Sequence, residues 1–251
     1  MKKMILSAAL VLASTAAMAQ SGTFQLKANL KNMGDTIIVY KGRGEKRDTI
    51  LVKKDKFTYS ATLTQPKEMM FAQPVIFRGG RAEAFYLVCV PGEIAEVVGD
   101  LKAKFDIKGS NFYKQFAEVD AMKDEADKEL ADFEKSINEK MKNGGDREAL
   151  MKEYEEKAPA LTKVKEEKML AFIGQHPDYE ASATLIGEMS NCENMQKAVD
   201  MLSAQVKNGR MKAFYEPIVE RAKKQAEMEE KAKVVQASGV EAPDFTLNDI
   251  N

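Results

Sequence analysis

Histidine and cysteine carry much of the side-chain chemistry open to a protein, and they are the scarce residues of this sequence. The 251 residues hold one His, His176, and two Cys, Cys89 and Cys192. A triad with a histidine base, a His-rich zinc site and a four-Cys site each need residues that this composition does not supply. Cys89 and Cys192 stand far apart, so they form no Cys-x-x-Cys dithiol. A disulfide between them stays open, because sequence does not show how close their Cα atoms come. Within the apolar run FYLVCV, Cys89 reads first as a small buried hydrophobe. Cys192 falls in the first turn of a helical pattern, where a thiol can ionise more readily, but no base or second thiol stands near it in sequence. His176 precedes Pro177 at the end of another helical pattern, and Asp178 is better placed to cap the next helix than to orient an imidazole. The histidine therefore reads as structural. Carboxylates crowd DEADKEL, KEYEEK and VKEEK, but they alternate with Lys at three- and four-residue steps, which is the pattern of a solvated helix face. Arg43, Arg47, Arg78 and Arg81 lie in RGEKR and FRGGR, short basic segments that read as hairpin turns, with an anion site as the alternative. The methionines show no metal-ligand spacing and serve as core filler. No catalytic, cofactor-binding or metal-binding residue is assigned.

The charge balance points the same way. Lys and Arg number 38 against 39 Asp and Glu, for a formal net charge of -1. Nothing here draws the chain to nucleic acid or to an anionic membrane. The first 20 residues, MKKMILSAALVLASTAAMAQ, have the parts of an export signal: Lys2 and Lys3, an apolar stretch from Met4 to about Ala13, and the small-x-small pattern Ala17-Met18-Ala19. Cleavage is expected after Ala19. Gln20 follows instead of Cys, so the mature chain is expected in the periplasm as a free protein, not a lipoprotein. The apolar run is short of the roughly 20 residues that a membrane span needs, and no later segment approaches that length.

Past the signal, the period of the apolar residues changes once. Residues 20 to 109 favour strands, FQLKANL, TIIVY, TILV, KFTYSATL, MMFAQPVIF, EAFYLVCV and IAEVV, separated by turn-forming segments such as NMGD, KKD and PGE. Alternation is clearest in Phe57, Tyr59, Ala61 and Leu63, which share one face of a half-buried strand. FYLVCV is apolar throughout, as in a strand covered on both faces or lying at the centre of a sandwich. Residues 110 to 235 follow a helical period. Phe112, Phe116, Val119, Ala126, Leu130, Phe133, Ile137 and Met141 mark a first long helix, roughly 45 Å in length, with Ser110 or Asn111 as its cap. Asn143-Gly144-Gly145-Asp146 turns the chain into a second helix, which Pro159 is expected to kink or restart. Helices over Tyr179–Met189 and Met195–Val206 follow, then one from about Met211 to Lys233 that becomes almost wholly charged. The fold class is α+β: an antiparallel sandwich or barrel, then an all-α segment with a long helical hairpin. The hairpin's apolar stripes serve either packing within the chain or a homodimer.

A resemblance enters at the C-terminus. Residues 239 to 249, GVEAPDFTLND, resemble the opening of the thioredoxin-like domain in bacterial exported thiol-disulfide oxidoreductases of the TlpA/ResA and peroxiredoxin-like type. KKDKFTYSATL, the PGE turn, IKGSNFYKQF and FIGQHPDYEASATLI are similar to the front region of those proteins. The resemblance implies that residues 236 to 251 are a linker and the start of a thioredoxin-like domain, whose paired cysteines would lie beyond Asn251. It transfers no catalytic residue, since neither Cys89 nor Cys192 matches the motif. The expected function is that of a non-catalytic accessory region, which positions a redox domain in cis or an envelope partner. The alternative is a stand-alone exported module that binds an envelope protein or glycan.

Overall fold

The computed structural model describes residues 21–74 and 83–237. The expected signal peptide, Arg78, Arg81 and the stretch 239–249 lie outside the described residues. The fold is α+β, with eight strands followed by helices. The strands are β1 (Gly22–Lys31), β2 (Thr36–Tyr40), β3 (Asp48–Leu51), β4 (Lys56–Leu63), β5 (Lys67–Ala72), β6 (Ala84–Cys89), β7 (Ile94–Asp100) and β8 (Phe105–Gly109). They form two four-stranded sheets, in the orders β4-β1-β7-β8 and β3-β2-β5-β6. All pairs are antiparallel except β1 with β7, where Leu26 lies beside Ala95 and Ala28 beside Val97. That parallel pair was not legible in the sequence, because it depends on which distant strand inserts beside β1. The strand β8 was also missed, since FDIKG is too short and mixed to show a period.

Alternation does the work of building the sandwich. Phe24, Leu26, Ala28 and Leu30 of β1 are buried while Gln25, Lys27 and Asn29 face solvent. Phe57 and Leu63 of β4 are buried, with Tyr59 and Ala61 partly so, on the same face. The two sheets meet through a run of rings: Phe57 to Phe71 at 6.4 Å between centroids, Phe71 stacked on Phe85 at 5.0 Å, and Phe85 to Phe105 at 5.8 Å. At one side the short β3–β4 turn carries the chain from one sheet to the other, with Lys54 and Asp55 both at positive φ. At the other side β6 and β8 are the free sheet edges, and the helical half packs against β8. FYLVCV therefore belongs to an edge strand. Leu87 and Cys89 share the inward face of Phe85, which packs between the sheets, while Val88 and the 59% exposed Tyr86 lie on the other face.

The helical half starts with α1 (Asn111–Lys142) and α2 (Arg147–Gln175), an antiparallel hairpin. Asp146 caps α2 through the amides of Glu148 and Ala149. Phe133 stacks on Tyr154 near the hairpin's outer end, and Lys165 pairs with Asp127 at 2.8 Å. The helix α2 continues through Pro159, so the helix does not restart there. Next comes a 3-10 helix, Glu180–Glu188, tighter than the α-helix expected there. Its cap position is Tyr179 and receives no side-chain bond, so Asp178 does not serve as the cap. The next expected helix is split into α3 (Cys192–Met201) and α4 (Ala204–Lys207), since Leu202 is extended and Ser203 caps a new turn. The last helix, α5, spans Lys212–Ala237. The first turns of α1, the last turns of α2, the 3-10 helix, α3 and the start of α5 bury their apolar faces together with the sandwich core, in one continuous cluster.

Candidate functional site

Two glycines shape the junction between the halves. The β6–β7 connection is Pro91-Gly92-Glu93, with Gly92 at φ 78° and the Glu93 amide bonded to the Val90 carbonyl at 3.2 Å. Pro then Gly in that order is the chemistry of a type II turn, and it delivers Glu93 to the junction. Gly109 ends β8 at φ 152°, and a Cβ there would lie 1.9 Å from the Ile94 carbonyl oxygen. The close approach lets Ser110 reach back across the turn.

Glu93 is 7% exposed, and its neighbours account for both carboxylate oxygens. Ser110 donates its hydroxyl to Glu93 Oε2 at 2.5 Å, and the Phe112 amide points at the same oxygen at 3.3 Å. Ser110 thus sits at the cap position of α1 but does not cap it. The Glu93 side chain, from the other half of the molecule, supplies the acceptor instead. Arg210, in the turn before α5, donates to Glu93 Oε1 at 2.5 Å, to the Pro91 carbonyl at 2.9 Å, and to both oxygens of Glu180 at 2.6–3.1 Å. Burial pushes the Glu93 carboxyl up, but the bonds from Ser110, Arg210 and Phe112, with the charge of Arg210, outweigh it and hold it below its ordinary value. One guanidinium therefore ties the β6–β7 turn, the 3-10 helix and the start of α5 together. Nearby, Tyr113 donates its hydroxyl to the Val88 carbonyl at 2.7 Å and so satisfies an outward-facing group of the β6 edge.

Beside this clamp the junction opens into a cleft of about 620 Å³. Its walls are the β6 and β8 edges, the second to fourth turns of α1, the end of the 3-10 helix and Phe214 of α5. The volume lies in the range of about 300–1,000 Å³ usual for ligand sites, and the position between two halves of a molecule is a favoured one. Asp120 lies half-buried in its wall.

The residues singled out from sequence are placed elsewhere. Cys89 is buried in β6, its thiol directed at the Leu87 carbonyl, and burial raises its pKa far beyond the neutral range. Cys192 is half-buried at the first position of α3, and both thiols are free. His176 lies between Phe172 and Tyr179, each at 4.5 Å between ring centres, and its backbone amide closes α2 on the Phe172 carbonyl. Arg47 lies over the Tyr40 ring at 4.5 Å, and Arg43 stands in the same loop. None of these reaches the clamp or the cleft. Arg210, Glu93 and Glu180 were not found from sequence, because three ordinary charged residues so far apart carry no spacing signal. The turn chemistry of Pro91-Gly92-Glu93 and Gly109-Ser110 was the only trace. Among the described residues no group of three or more His, Cys, Asp or Glu is arranged to hold a metal ion, and no helix is long and apolar enough to cross a membrane. Comparison with protein-family models, with curated proteins and with solved structures gives no match to this chain.

Proposed function

We propose that this chain is a non-catalytic positioning module of an exported, thioredoxin-like thiol-disulfide oxidoreductase. The observation that carries the reading is the form of α5. Its first turns bury Tyr215 and Val219 against the body, whereas Lys223, Lys224, Gln225 and the run Glu227–Val234 are all exposed. That outer stretch extends for about 18 Å at the α-helical rise. Glu220 and Lys224, Glu227 and Lys231, and Glu229 and Lys233 stand in the favourable order, with Glu four residues before Lys. A helix of this kind needs little tertiary support and acts as a stiff spacer. Its described residues run to Ala237, and the stretch 239–249, which resembles the opening of a thioredoxin-like domain, follows in the sequence. The clamp at Arg210 supports the same reading, since it fixes the root of the spacer to the sandwich.

The test is the intact mass of the native product from its own cells, with the coding sequence read past codon 251. A longer product that carries a Cys-x-x-Cys motif supports the proposal. A native end at Asn251 overturns it. In that case the cleft favours the second reading, a stand-alone exported binding module.

A further inference from the structure

The cleft has more carboxylate than its own cations satisfy. Lys104 on its wall pairs with Asp124 at 3.0 Å, and Lys123 pairs with Glu188 at 2.5 Å. Asp120 and Glu68 also line it, and among the described residues neither makes a hydrogen bond or an ion pair. Glu68 borders a second hollow that holds Arg43 and Arg47, so recognition rests on Asp120. Burial, and then the charge of Asp124, push the Asp120 carboxyl above its ordinary value, and Lys123 and Lys104 offset this only in part. Around it stand the rings of Tyr86, Phe105, Phe116 and Phe214. Aromatic faces attract cations, and the rings offer apolar surface to an aliphatic stem.

We infer that this cleft binds an ammonium or guanidinium group carried on an aliphatic stem, with Asp120 as its counter-charge and the aromatic walls around the stem. The group is either a free amine or a Lys or Arg side chain of a polypeptide. Charge complementarity argues for this occupant: the cleft offers a spare half-buried carboxylate and apolar walls, and a cation on a carbon chain matches both. The inference does not depend on a following domain, so it and the positioning role stand or fall separately.

The experiment is calorimetric titration of the whole chain with cadaverine, with a diol of the same length, and with a blocked Ala-Ala-Lys-Ala-Ala peptide. Cadaverine or the peptide is expected to bind where the diol does not. Asp120→Asn is expected to weaken binding by about tenfold or more, the worth of a charge-assisted contact. Tyr86→Ser, at an exposed position of an edge strand, is expected to weaken it by roughly threefold. Unchanged far-UV circular dichroism checks that each variant folds. Tighter binding of the peptide assigns the site to a polypeptide side chain, and binding of cadaverine at least as tight assigns it to a free amine. Equal binding of the diol, no binding of either cation, or unchanged affinity in Asp120→Asn overturns the inference.

Discussion

Replacing Arg210 with Met keeps most of the aliphatic stem and removes the guanidinium that joins three segments. Its contacts to Glu180 contribute little to the expected loss, because that carboxylate is 31% exposed and rehydrates. Glu93 is different: its side chain is 9% exposed, and without Arg210 its Oε1 loses the donor at 2.5 Å. The Pro91 carbonyl loses its donor as well. Breaking a buried pair from one side costs about 3–5 kcal/mol. Arg210 itself is 22% exposed and Ser110 and Phe112 still serve Glu93, so the lower end applies, about 3 kcal/mol. That is roughly two orders of magnitude in the folding equilibrium. The assay is urea unfolding followed by far-UV circular dichroism at a series of pH values. Glu93 has a folded pKa below its ordinary value of 4.5, so the stability it contributes is fully present above that value. It is lost as pH falls through the folded value, and the gap between wild type and Arg210→Met should narrow over the same interval. A double variant with Glu93→Gln should show a coupling of about 1 kcal/mol or more. A loss below about 1 kcal/mol at neutral pH, a gap that ignores pH, or additive variants would refute the clamp.

Three further outcomes are expected. Asp120→Asn should stabilise the chain at neutral pH, because a folded pKa above the ordinary 3.8 means that its ionised form costs stability; the gain should vanish in urea melts below that value, where both states are protonated. Tyr113→Phe leaves the Val88 carbonyl without its hydroxyl partner at the covered β6 edge and should cost about 1–3 kcal/mol in the same assay, whereas a change under a few tenths would mean that water replaces the bond. With a thiol reagent, the native chain should show one accessible cysteine, Cys192, while Cys89 reacts only on unfolding; two equally fast thiols would contradict the burial of β6.

Local pattern was sufficient for much of this protein. The change of apolar period near Gly109, the two-residue alternation of Phe57 to Leu63 and the stop at Asn143-Gly144-Gly145-Asp146 are short-range signals, so the strand-rich half, the helix-rich half and the hairpin were legible as sequence. The charged outer part of α5 was legible for the same reason: i to i+4 pairs lie within one segment. The tertiary structure alone decided where β6 sits, at a sheet edge with one face turned into the sandwich and its Val88 carbonyl met by Tyr113 of α1. It also decided that Ser110 serves Glu93 and does not cap α1, and that Arg210 meets Glu93 and Glu180. A charged residue on a surface turn and one in a buried clamp look alike in a linear sequence. Their difference lies in desolvation and in which distant groups the fold brings within hydrogen-bond reach, and neither quantity is a property of neighbours along the chain.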